Sequence, residues 1–135
     1  MPLTKTRMSR RAALSAAAAA TIVAGLALHF FVAGHAANLI SDALYTVLVY
    51  LVLAFILPRA RRHWLALTAF AISAAIELSQ LTGVPAQLAV SFPPSRLIFG
   101  TTFSAPDLVA YAAGAAAAWF LDRTLSARWR APQTE

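Results

Sequence analysis

The 135-residue chain contains no cysteine, so disulfides and thiolate metal sites are excluded and the redox compartment leaves no trace in the sequence. Acidic residues are scarce as well: five Asp and Glu stand against eleven Lys and Arg. Charged residues of both signs make up only 12% of the chain, while 60% is hydrophobic. A soluble domain of this size lacks the polar surface to cover so much apolar material. Lipid accepts an apolar exterior, so the composition points to a single integral membrane domain over residues 1–135. No Gly-rich phosphate loop, G-x-S-x-G, H-E-x-x-H or Ser/His/Asp constellation occurs, so no motif names a reaction. His29, His35 and His63 lack a paired ligand spacing, and neither a metal site nor a cofactor is expected. The net charge of +6 falls in short clusters between apolar runs, without interleaved aromatics. That pattern suits membrane lipids as partners and argues against nucleic acid.

A membrane-crossing helix needs about 20 apolar residues to traverse roughly 30 Å of hydrocarbon. Four segments qualify: 12–32, 42–57, 64–81 and 106–121. The expected fold is all-α, an integral membrane four-helix bundle. Between the third and fourth spans, segment 82–105 holds Gly83, Pro85, Pro93, Pro94 and Gly100, which forbid a continuous fifth helix. Leu88, Val90, Phe92, Leu97, Ile98 and Phe99 make it too apolar for a solvated loop. It is expected to be an irregular external cap, interfacial or partly re-entrant. Small residues recur every fourth position at Ala13, Ala17, Thr21 and Gly25, and again at Ala110, Gly114 and Ala118. They read as helix-packing seams.

Orientation follows from the basic residues. Ten of the eleven lie before the first span, between the second and third, or after the fourth; Arg96 alone falls on the other side. The positive-inside rule then places both termini and the loop around Arg59, Arg61 and Arg62 in the cytoplasm. The expected location is a bacterial cytoplasmic (inner) membrane, crossed several times. Ser9-Arg10-Arg11 also has the look of a twin-arginine signal, with Gly34-His35-Ala36 as a cleavage site. The apolar run is longer than a signal core of 7–15 residues, so a retained helix anchored by Arg10 and Arg11 is the expectation.

An ionisable residue inside a span is costly unless paired or wet, and so marks a candidate site. Glu77 lies 13 residues into the third span, about 20 Å from its cytoplasmic start. Ser73, Glu77 and Gln80 share one helical face. With antiparallel helices, Asp42 and Tyr45 fall near the outer end of the second span, and Asp107 and Tyr111 near that of the fourth. Arg96 lies in the capping segment above them. Glu77, Gln80, Arg96, Asp107, Asp42, Tyr45 and Tyr111 therefore form the expected binding cluster, with Arg96 the expected partner of Glu77. Glu77 is also the one candidate catalytic residue, as general acid or base. Simpler roles compete. Ser41-Asp42 and Ser104-Ala105-Pro106-Asp107 both read as helix starts with an acid in the first turn, and Glu77 can serve as a buried interhelical tie.

These residues carry a resemblance. Ser41-Asp42-Ala43-Leu44-Tyr45, Ile76-Glu77-Leu78-Ser79-Gln80-Leu81, Arg96-Leu97-Ile98-Phe99-Gly100 and Asp107-Leu108-Val109-Ala110-Tyr111-Ala112-Ala113-Gly114 resemble an uncharacterised family of small bacterial four-helix membrane proteins. That family is similar to the VanZ-like proteins, with their glutamate-x-x-glutamine, later arginine, and aspartate opening a last helix that carries a glycine. The resemblance implies a membrane protein of the cell envelope. Three functions follow as alternatives: binding of a headgroup, glycan or cation at the outer leaflet; an enzyme acting on a lipid-linked envelope substrate through Glu77; or a structural, accessory membrane subunit.

Overall fold

The computed structural model describes residues 9–100 and 102–130, with side chains as far as Thr124. Lys5 and Arg7 lie outside the described residues, as do the side chains of Arg128 and Arg130. Six α-helices follow one another: α1 Arg10–Phe31, α2 His35–Ile56, α3 Arg62–Ser79, α4 Val84–Ser91, α5 Arg96–Phe99 and α6 Ala105–Arg130. Single 3₁₀ turns, Gln80–Thr82 and Pro93–Ser95, extend α3 and precede α5. Among the described residues, three helices are long and apolar enough to cross a membrane: α1, α2, and α3 taken through to Thr82.

Local chemistry sets the boundaries. The Ser9 hydroxyl caps α1 by accepting the Ala12 N–H at 3.1 Å. The chain turns between α1 and α2 at Gly34, whose φ of 120° suits glycine alone. Nothing after Gly34 interrupts a helix, so α2 begins at His35, seven residues before the expected start. Asp42 is therefore not a first-turn acid: it lies roughly 10 Å inside α2, and the reading of Ser41-Asp42 as a cap is overturned. Helix α6 runs past the expected end at Leu121 to Arg130. Segment 82–105 is more regular than expected, because its prolines fall in the first turns of α4 and of the second 3₁₀ turn, where a missing N–H costs nothing.

Helix α2 is central. It packs against α1, α3 and α6, and α3 packs on α6 as well. Seven of the eleven buried apolar residues are alanines, whereas Phe31, Val90 and Val109 are 87%, 83% and 72% exposed. Large apolar side chains outside and small ones inside invert the soluble pattern and match helices associating in lipid, where close backbone approach drives packing. The seam at Ala110, Gly114 and Ala118 is buried as expected. At Gly114 the approach is so tight that an added Cβ would strike the Ala43 carbonyl oxygen. The α1 seam is not realised: Ala17 is exposed, and a Cβ on Gly25 would meet nothing within 4 Å.

Hydrogen bonds tie the helices at successive depths. Midway, the Thr46 hydroxyl donates to the Ser73 hydroxyl at 2.9 Å, joining α2 to α3. At the end rich in arginine, the Asp122 carboxylate of α6 accepts from Arg10 of α1 at 2.8 and 3.2 Å and from the Tyr50 hydroxyl of α2. Asp122 is 8% exposed, and its removal would take the shared acceptor from both donors. Asp122→Ala is expected to destabilise the protein by about 2 kcal/mol, less than a fully buried pair because Arg10 can turn to water. Tyr50→Phe, which loses one bond and keeps the ion pair, should cost about 1 kcal/mol or less. Unfolding measured in detergent micelles ranks the two; equal losses would show that the three-helix tie contributes nothing beyond packing.

Candidate functional site

The site grows from one face of α3. Leu65, Ala69, Ser73 and Glu77, spaced at four-residue steps, are all buried, and Gln80 continues the face at 9% exposure. Glu77 is only 1% exposed. Its carboxylate is held from two sides: Oε1 accepts the Ser104 backbone N–H at 2.6 Å and Oε2 accepts the Tyr111 hydroxyl at 2.8 Å. Ser104 immediately precedes α6, whose first N–H groups have no partners within the helix. A carboxylate there is further favoured by the helix dipole. Glu77 thus fastens α3 to the start of α6 through neutral donors. Arg96, the partner expected from the sequence, is exposed, and among the described residues the ion pair is Arg10–Asp122.

Gln80 is positioned with similar care. Its Nε2 donates to the Phe99 carbonyl at 2.6 Å, which fixes the amide so that Oε1 points the other way. That oxygen is buried and has no hydrogen-bond partner. Gly100 permits the arrangement: it has a φ of +64°, and a Cβ there would come 2.5 Å from Nε2. The backbone conformation favours glycine, and a side chain there would push the Gln80 amide from its place.

These groups line a cavity of about 530 Å³. Glu77, Gln80, Arg96, Asp107, Asp42, Tyr45 and Tyr111 all contribute to its wall, so the seven residues picked from the sequence are brought together. The carboxyl groups of Asp42, Asp107 and Glu77 face the same cavity. The rings of Tyr45 and Tyr111 stand 6.4 Å apart. Sequence reasoning missed the α1 contribution: Thr21, Gly25 and His29 form part of the wall, joined by His35 at the start of α2. The small-residue spacing of α1 was the available signal, and it reflects room for a cavity rather than a tight seam. The Ser104 N–H was also missed, since a backbone donor has no sequence signature.

Among the described residues, no group of three or more His, Cys, Asp or Glu is arranged to hold a metal ion. The chemistry on offer is a concave, acceptor-rich surface inside an apolar helical protein, with one arginine beside it. The class is thus a small all-α protein with membrane-compatible helices and a polar cavity among them. Residues 31–115 match the family described as protein of unknown function (DUF2809), and the chain belongs to that family. All seven site residues fall inside the matched stretch, whereas Arg10 and Asp122 fall outside it. No curated protein and no solved structure matches the chain.

Proposed function

We propose that this is a VanZ-like, four-span protein of the bacterial inner membrane that binds an organic polar ligand, a lipid headgroup or glycan, at the outer leaflet in cell-envelope physiology. Helix α6 is the fourth span, α4 and α5 form the external cap, and both termini are cytoplasmic. The observation that carries the reading is the single cavity shared by Asp42, Glu77, Gln80, Arg96 and Asp107. The basic residues support its depth: Arg10, Arg61, Arg62 and Arg123 belong to the opposite end of the long helices. Binding is favoured over proton transfer because both oxygens of Glu77 are already engaged, which leaves it better suited to hold a shape than to exchange a proton.

Labelling with a membrane-impermeant thiol reagent tests the arrangement, since the absence of native cysteine gives a silent background. Gln87→Cys on α4 should react in intact cells. Arg61→Cys, between α2 and α3, should react only after lysis. Reaction of Arg61→Cys from outside would put the cavity at the wrong face and sink the proposal.

A further inference from the structure

We infer that the cavity holds the headgroup of a membrane phospholipid with a primary ammonium, that ammonium lying among Asp42, Glu77, Asp107 and Gln80, with the lipid phosphate on Arg96. The inference rests on the binding function proposed above and names its ligand class.

The polar groups decide the chemistry. Gln80 has spent its donor on Phe99, and its buried Oε1 lacks a partner. A buried acceptor left without a donor is costly, and a donor on a ligand would offset that cost. The carboxyl groups of Asp42, Asp107 and Glu77 line the same cavity, and like charges in a poorly solvated site repel strongly. A ligand that both donates hydrogen bonds and carries positive charge answers both needs at once. A primary ammonium does so with three N–H donors; a sugar hydroxyl supplies only the donor, and a quaternary ammonium only the charge.

Two further features make the ligand a lipid. Arg96 lines the same cavity and is exposed, which suits an anionic group next to the ammonium, and arginine matches phosphate geometry well. Apart from the polar Thr21, His29, His35 and Asn38, two stretches of the wall are apolar: Ile22 and Leu26 come from α1, and Leu97 and Ile98 from α5. Helix α1 packs along α2 and makes no comparable contact with α5. The two apolar walls therefore flank a crevice instead of closing on each other, and acyl chains can leave sideways through it.

The experiment uses the full chain in lipid nanodiscs containing equal parts phosphatidylethanolamine, phosphatidylcholine and phosphatidylglycerol with matched chains. Protein is transferred to detergent, and the lipid that remains bound is measured by native mass spectrometry. Retention of phosphatidylethanolamine over each of the others by roughly tenfold, equivalent to about 1.4 kcal/mol, is expected. In Asp42→Asn the preference should fall to the bulk ratio, and in Arg61→Ala it should not change. Equal retention of all three lipids, or a preference for phosphatidylglycerol, would overturn the inference. A second readout does not depend on the Asp42 variant folding. In Ser41→Cys, at the cavity wall, alkylation should slow at least about tenfold when phosphatidylethanolamine vesicles replace phosphatidylcholine vesicles. Protection by a soluble peptidoglycan disaccharide-peptide but not by phosphatidylethanolamine would overturn the lipid assignment while leaving a binding function intact. Protection by neither would overturn both.

Discussion

Glu77→Ala is expected to destabilise the protein by about 3 kcal/mol, because it orphans the buried Tyr111 hydroxyl and the half-buried Ser104 N–H at once, each worth about 1–3 kcal/mol. The Ser104 N–H and the Tyr111 hydroxyl converge on the two carboxylate oxygens, and alanine offers them nothing. Glu77→Gln behaves differently. Its amide oxygen still accepts from one donor, and the loss of charge removes one of three carboxylates that share the cavity. These effects oppose each other, so the glutamine variant should fold within about 1 kcal/mol of wild type. It should nonetheless lose ligand, since a cavity with one fewer negative charge attracts a cationic donor less. Unfolding in detergent, paired with measurement of bound lipid, separates the two. If glutamine proves as damaging to folding as alanine, Glu77 is a structural tie and the accessory-subunit reading gains. If both variants fold like wild type, the hydrogen bonds to Tyr111 and Ser104 are not what holds α3 to α6.

The α3 face was legible in the sequence because a four-residue step of Ser73, Glu77 and the nearby Gln80 needs no tertiary information. The meeting of Asp107 and Tyr111 with that face followed from antiparallel helices and equal depth. What could not be read was the partner of each group. Charge favours Arg96 for Glu77, yet the structure satisfies the carboxylate with a tyrosine and a backbone N–H left free by the start of α6. Opposite charges are visible in a sequence; an unpaired N–H at a helix end is not. The boundaries failed for a related reason. His35, Asn38 and Ser41 look like loop residues beside an apolar run, but here they lie on α2 and line the cavity, where polarity is useful. Asp122 and Arg123 look like the close of the last span, but Asp122 is inside, bound to Arg10 and Tyr50. In both places a polar residue signalled a polar interior and not the end of a helix.

The alanine and glycine content allows a sharper test, in which the same substitution should change stability in opposite directions at two glycines. At Gly114 a Cβ would collide with the Ala43 carbonyl oxygen, with the Ala43 carbonyl carbon at 2.9 Å and its Cα at 3.0 Å. All three atoms are backbone, so no rotamer change relieves the contact and α2 and α6 must move apart. Overpacking of this kind costs about 1–3 kcal/mol, more than the roughly 1 kcal/mol that alanine gains over glycine in a helix. Gly114→Ala should therefore be destabilising, and Gly114→Leu should cost at least about 3 kcal/mol, beyond the usual overpacking range because it faces fixed backbone. The damage should reach the site, since Ala43 adjoins Asp42 and Gly114 lies one turn from Tyr111. Gly25 is the control. It also lies within a long helix, but a Cβ there meets nothing within 4 Å, so Gly25→Ala should keep the helix-propensity gain and stabilise by up to about 1 kcal/mol. Measured side by side, the two alanine variants should bracket the wild type. If Gly114→Ala is as stable as Gly25→Ala, then α2 and α6 do not touch backbone to backbone, and the packing that places Asp42 opposite Asp107 is wrong.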